Sequence, residues 1–193
     1  FGPALGRGMI ISCLALVPLG ICGEEPRDPL SASVSSAHAI IPQPTVGERM
    51  SFHGWWMGLP VGYGWIEVKE VVDLDGQQAY HIEAQGHSNA LLSVFYPIHD
   101  VLHAYLAIDT FQPLRLEKDQ QEGRYRAHEV VRFDLNNRTA TYRSLLNQSV
   151  KEIMLPPTFQ DLISAVYWIR AQPLQPPGTL SLNLYTDEKI YET

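Results

Sequence analysis

From Gly47 onward the chain alternates apolar and polar residues with a period of two, so half-buried β-strands are the regular structure that fits most of it. Met50, Phe52, Gly54 and Trp56 share one face of the first expected strand. The break at Gly58–Leu59–Pro60 leads into a second strand over Val61 to Val72, where Ile66 and Val68 oppose Trp65, Glu67 and Lys69. Asp75–Gly76 is a hairpin signal, because glycine supplies the positive φ that tight turns need. The return strand, Gln78 to Ser88, places Tyr80, Ile82 and Ala84 inward and His81, Glu83 and Gln85 outward.

The stretch Leu91 to Lys118 is the expected centre of the fold, with the other strands pairing or packing on it. An irregular or helical piece over Asn89 to Tyr96 precedes a strand from Ile98 to Ala107, a turn at Asp109–Pro113 and a strand from Leu114 to Lys118. Turns at Glu122–Gly123 and Asn136–Asn137 then flank strands over Arg124 to Leu135 and Thr139 to Arg143. Consecutive strands joined by such short turns form an antiparallel meander rather than crossover units. One helix is expected over Phe159 to Arg170, capped by Thr158, with Leu162, Val166 and Ile169 at helical spacing. Pro173, Pro176, Pro177 and Gly178 close it, and Leu180, Leu182 and Leu184 mark a late strand. The fold class is therefore mainly β, with one packed α-helix.

The 193 residues, 45% of them hydrophobic, suffice for one domain with a real core. A net charge of −7 without any basic block argues against a nucleic-acid partner. Residues 9–21, MIISCLALVPLGI, are too short to span a bilayer and read as an export signal, so residues 1–22 are assigned to it. Cys22, with Leu19 three residues before it, is a candidate lipid-attachment site, although Ile21 stands where a small residue is wanted. Processing nearby without lipid is the alternative. Residues 23–45, rich in Pro, Ser and Ala, form a flexible tether, and 46–193 a single β-rich domain. Both ends are expected to be cut from a longer frame, with Met9 as its start. The body from Ile40 has no cysteine, which removes disulfides, a catalytic thiol and thiolate metal sites.

Four blocks carry a resemblance. They are Gly47–Glu48–Arg49–Met50–Ser51–Phe52 with Trp56, Gly58 and Gly62; Ser93–Val94–Phe95–Tyr96 with Asp100; Thr110 through Arg115; and Asp161, Ser164, Tyr167 and Arg170 ahead of Gln172–Pro173–Leu174. Together they resemble an exported bacterial family, domain of unknown function 3108, over roughly residues 46–193. The resemblance implies a β-rich envelope domain, a strongly curved sheet wrapped about a helix as an open barrel or spiral, and no assigned activity. The chain stops before the family's last strands, which implies an incomplete closing edge.

The sharpest catalytic idea is the cluster His99, Asp100 and His103. Four residues apart on a strand is about 13 Å, too far for His99 and His103 to share one ion, and His81 and His87 fail likewise. No metal or other cofactor is expected. No Gly-x-Ser-x-Gly elbow or phosphate loop occurs. Glu83, Asp100 and Glu117 as a carboxylate pair would need a separation that sequence does not give. The aromatics are more telling. Trp55, Trp56, Tyr63 and Trp65, with Phe95, Tyr96 and Tyr105, concentrate in the first half of the chain and are candidates to line a binding face, together with Arg115. Of Trp55 and Trp56, alternation sends one to the core and the other outside or into a groove. Arg115, Arg126, Arg132 and Arg170 are expected to pair with nearby carboxylates.

The expectation is a non-catalytic cell-envelope protein in the periplasm, or on the periplasmic face of the outer membrane, of a Gram-negative bacterium. Its role is binding or scaffolding, with a lipid, a glycan or an envelope protein as partner. Membrane contact is expected only through the N-terminal lipid anchor. The alternative is a metal-independent hydrolase of an envelope polymer using Asp100 with His99 or His103.

Overall fold

A computed structural model describes residues 43–172 and 178–192. The export signal, Cys22, most of the tether and the prolines after the helix lie outside the described residues. Eight strands form one antiparallel sheet in strict sequence order, β1 to β8, an open meander that does not close. They are β1 Arg49–Trp56, β2 Leu59–Leu74, β3 Gln77–Ser88, β4 Ile98–Ala107, β5 Pro113–Glu122, β6 Tyr125–Asp134, β7 Thr139–Ser144 and β8 Val150–Met154. A one-turn helix, α1 (Ala90–Ser93), sits between β3 and β4. The turns are those the sequence announces. Asp75 and Gly76 both take positive φ between β2 and β3, and Gly123 does so between β5 and β6.

The registers sort the residues into two faces. On one face Val68, Ile82, Ala104, Leu116, Val131 and Tyr142 stand side by side across six strands. They join Ile66, Tyr80, Leu106, Phe133 and Ala140 in the core. Phe111 and Phe159, from loops, and Tyr167 and Tyr185 close it from above. Phe133 is the meeting point, with Phe159 at 5.3 Å and Tyr185 edge-on at 5.2 Å between ring centroids.

The cover is one helix and one small sheet. Helix α2 runs over Leu162–Arg170, three residues later than its apolar spacing predicts, and its cap is Asp161 rather than Thr158. The cause is a distant partner. Gln160–Asp161 form a two-residue strand, β9, paired in parallel with β10 (Asn183–Thr186), which in turn pairs with β11 (Lys189–Glu192). Asp161 accepts from the backbone N–H groups of Ile163 and Ser164, at 3.0 and 2.6 Å, and Ser164 Oγ accepts from the Asp161 N–H at 2.8 Å. Burial holds the Asp161 carboxyl above the usual range even though these N–H donors pull it down. An ion pair from Arg170 to Glu48 ties the end of α2 to the start of β1.

Two glycines set the curvature between β2 and β3. A Cβ at Gly62 would lie 2.5 Å from the carbonyl oxygen of His87, and one at Gly64 2.6 Å from that of Gln85. Only glycine permits so close a backbone approach. Gly62→Ala is therefore expected to cost about 1–3 kcal/mol in urea denaturation, because the clash is with backbone and not with a movable side chain. Asp161→Ala, which deletes the α2 cap, should lower stability by about 1–2 kcal/mol in the same measurement without loss of strand signal in circular dichroism.

Candidate functional site

The residues expected to line one binding face fall in three places. Tyr63, Trp65, Tyr105 and Arg115 stand on the sheet face turned away from the core, among the histidines. His87 stacks between Tyr63 and Trp65, at 5.3 and 5.1 Å, and the Arg49 guanidinium lies 4.4 Å over Trp65. Tyr105 stacks on His81 at 4.9 Å and carries Arg115 at 5.5 Å on its ring, while Arg115 also pairs with Glu117. Arg132 pairs with Asp75 at 3.2 Å, Arg170 with Glu48, and Arg126 donates to the carbonyls of Gly123 and Tyr125. Each of the four arginines is thus already engaged.

Along β4 the distance argument holds, and His99 and His103 do not meet. Across the sheet, however, each finds a histidine of β3. His99 Nδ1 lies 3.1 Å from His87 Nδ1, and His103 Nδ1 lies 3.0 Å from His81 Nε2, whose other nitrogen meets Glu70 at 3.3 Å. Spacing within one strand could not reveal these pairs; the β3–β4 register creates them. Burial and the neighbouring His99 hold the His87 ring below its ordinary pKa, with Asp100 opposing. Among the described residues no three His, Cys, Asp or Glu side chains are grouped to hold a metal ion.

Asp100 stands on the opposite face from both neighbouring histidines. It pairs with Gln120 across β4–β5 and accepts from the Gln121 N–H at 3.0 Å. Its functional neighbour is Glu122, which sequence reading placed only in a turn. Glu122 is 2% exposed, and one of its carboxylate oxygens has no hydrogen-bond donor. Burial, then the Asp100 charge and a hydrogen bond shared with Asp100, push its pKa from 4.5 up to about 7, with Lys118 opposing. Tyr96 folds back over this pair. Its ring packs on Gly123, where an added Cβ would lie 2.7 Å from Cε2, and burial followed by the Glu122 charge raises the pKa of its hydroxyl.

The third place is the end of the sheet where β1 turns into β2. Trp55 and Trp56, 61% and 66% exposed, both lie outside the core, a correction to the expectation that one is buried. The register slips between Gly54 and Trp55, and the hairpin runs past the region covered by α2 and the small sheet. Phe95 is exposed on the neighbouring α1 loop. Below these rings the core face is buried on β5 and β6 but only partly covered on β1 to β3. Phe52, 40% exposed, and Gly86 share it with Asp100, and a Cβ at Gly86 would have no atom within 4 Å. Phe52 and the backbone of Gly64 and Gly86 thus form an open part of this face, with Asp100 at its polar side, while Met50 and Leu102 pack against the core.

An open antiparallel meander, with one helix and a small second sheet packed on one face, defines the chain as a mainly β protein. The chain belongs to the family described as Protein of unknown function (DUF3108), whose model matches residues 49–193. No curated protein and no solved structure matches it.

The Glu122 shift has a direct consequence. A carboxyl raised in the folded state adds stability that is fully present below pH 4.5 and is lost as pH rises through about 7. Glu122→Gln is expected to remove that fall from the stability–pH curve and to make the protein more stable than wild type at pH 8. Denaturation midpoints measured from pH 5 to 8 check this; identical slopes for the two proteins would refute it.

Proposed function

We propose that the protein is a non-catalytic binding protein of the Gram-negative cell envelope, exported by residues 1–22 and held on the 23–45 tether, with Cys22 as the point of lipid attachment. Its ligand is an envelope lipid, whose acyl chain lies in the uncovered groove on the core face of β1–β4. One observation carries this reading. The face that is packed with side chains under α2 continues past the helix as a bare floor of Phe52 and Gly86, with open space above it. Unfilled apolar surface next to a packed core is a binding surface, since its burial by an acyl chain yields about 0.8 kcal/mol per methylene. A glycan would call for converging polar groups, and the polar groups nearest the groove are engaged within the sheet: Gln120 donates to Glu122, and Asp100 accepts from the Gln121 N–H. The periplasm, or the periplasmic face of the outer membrane, is the compartment in which such a ligand is at hand.

Mass spectrometry of protein purified under native conditions from its own envelope tests the reading. Wild type is expected to carry phospholipid in near-stoichiometric amount. Gly86→Leu, which fills open space on a β-strand where no positive φ is needed, should keep the melting temperature and lose at least tenfold of the bound lipid. A lipid-free wild type, or a Gly86→Leu variant that is equally loaded, would sink it.

A further inference from the structure

Two loops meet at the groove end of the sheet. The β1–β2 hairpin carries Trp55, Trp56, Met57 and Leu59, and the α1 loop carries Val94 and Phe95, all exposed; Met57 and Phe95 reach 83% and 80%. They are fastened together. Asn89 donates through its side chain to the Pro60 carbonyl and through its backbone N–H to the Val61 carbonyl at 2.9 Å, while its Oδ1 caps α1 by accepting from Leu92 N–H at 2.8 Å. The hairpin closes through Trp56 opposite Leu59, with Met57 and Gly58 at positive φ, as a tight two-residue turn requires. The loops are thus rigid tips and not loose ends.

Charge is missing from both. No Asp, Glu, Lys or Arg occurs from Met50 to Ile66 or from Ala84 to His99, 17 and 16 residues. In a chain that is 18% charged, segments of this combined length would carry about six such residues. We infer that this end of the molecule is a docking surface for the interfacial layer of a phospholipid bilayer, with Met57, Leu59, Val94 and Phe95 reaching toward the acyl chains and Trp55 and Trp56 lying at headgroup level.

Three features select a bilayer over a protein. The exposed side chains protrude as tips rather than forming a flat patch, so they enter a soft layer more readily than they match a rigid surface. Tryptophan is suited to the headgroup boundary, where its ring is apolar and its N–H stays wet. The hairpin and α1 satisfy their own backbone groups by the bonds just named, which lowers the cost of leaving water. The charge balance fixes the lipid class. A protein of net charge −7, whose two tips carry no cation and whose adjoining β5–β6 turn supplies only Arg124 and Arg126, gains little from anionic headgroups, so the surface it fits is zwitterionic. The inference rests in part on the lipid-binding reading, because docking here would bring the groove's open end to the source of its ligand.

The test uses the full chain with Cys13→Ser and Cys22→Ser, so that no acyl anchor contributes, and a single new cysteine bearing an environment-sensitive fluorophore. The cysteine is placed by Met57→Cys, by Phe95→Cys, or by Asp75→Cys at the opposite end of β2, about 50 Å away along the strand. With vesicles of phosphatidylcholine, the labels at positions 57 and 95 are expected to shift to the blue by 10 nm or more. The label at 75 should stay at its aqueous wavelength, and 0.5 M salt should leave the shifts unchanged. Gly86→Leu should preserve these shifts while losing bound lipid, which separates docking from groove occupancy. Unshifted labels at 57 and 95, an equal shift at 75, or binding that requires phosphatidylglycerol and disappears in salt would each overturn the inference. So would a mass in sedimentation that doubles with protein concentration together with unshifted labels, which would assign the tips to a second copy of the chain.

Discussion

The register between β3 and β4 is the constraint on which the molecule turns. Nine cross-strand pairs, from Ala79 opposite Ala107 to His87 opposite His99, decide what each face becomes. Tyr80, Ile82 and Ala84 meet Leu106, Ala104 and Leu102 on the core side, and His81, Glu83 and His87 meet Tyr105, His103 and His99 on the other. A one-residue slip of β3 would send His81, Glu83, Gln85 and His87 into the core and turn Ile82, which has no exposed surface, to water. The alternating sequence makes such a slip costly at every position. The same register makes the histidine pairs, and the β4–β5 register makes the carboxyl pair, although nothing in their local sequence foreshadows either.

Cover is distributed unevenly over that scaffold. Helix α2 and the small sheet of β9, β10 and β11 bring Phe159, Ile163, Tyr167 and Tyr185 onto one end of the core face. At the other end the side chains shrink to glycine, and the sheet's own curvature takes over. Gly62 and Gly64 let β2 approach β3 closely enough to bend, whereas Gly86 leaves space that nothing described occupies. The two kinds of glycine look alike in the sequence. One sits against backbone and the other against a void, and only the packing tells them apart.

Much of the architecture was legible. The strands, the hairpin at Asp75–Gly76, the turn at Gly123 and the open meander follow from alternation and turn chemistry, which are local. What failed was long-range. Phe159 and Gln160 carry helical spacing, but Gln160–Asp161 are taken by pairing with Leu184 and Tyr185, more than twenty residues later, so the helix begins at Leu162. Trp55 and Trp56 read as one buried and one exposed because alternation presumes a cover on one side, and the hairpin has outrun it. Glu122 read as a turn residue because its neighbour Gly123 is one; its partner Asp100 lies in another strand, and Tyr96 reaches it from a third segment. Of the aromatic candidates, Trp55, Trp56 and Phe95 gather at the groove end, Tyr96 roofs the carboxyl pair, and Tyr63, Trp65 and Tyr105 decorate the far face.

The titratable groups at the groove end fit one electrostatic pattern. The carboxyls nearest the two uncharged segments are Asp100 and Glu122, and with its pKa pushed up to about 7 Glu122 is protonated below neutrality. On the other face His87 and His99 point ring nitrogens at each other, and burial, then the neighbouring His99, hold the His87 pKa below its ordinary value. The two uncharged segments thus stand beside Arg124 and Arg126 of the β5–β6 turn, whose Gly123 the Tyr96 ring contacts. The acidic excess is left to the rest of the surface, among groups such as Asp73, Asp75 and Asp134 at the opposite turns. A molecule so polarised has one end whose transfer to a low-dielectric boundary costs little desolvation, and one end that stays in water. Glu122 thereby couples protonation to that asymmetry: losing its proton above neutrality adds a buried charge beside Asp100 and raises the cost of bringing an acyl chain there.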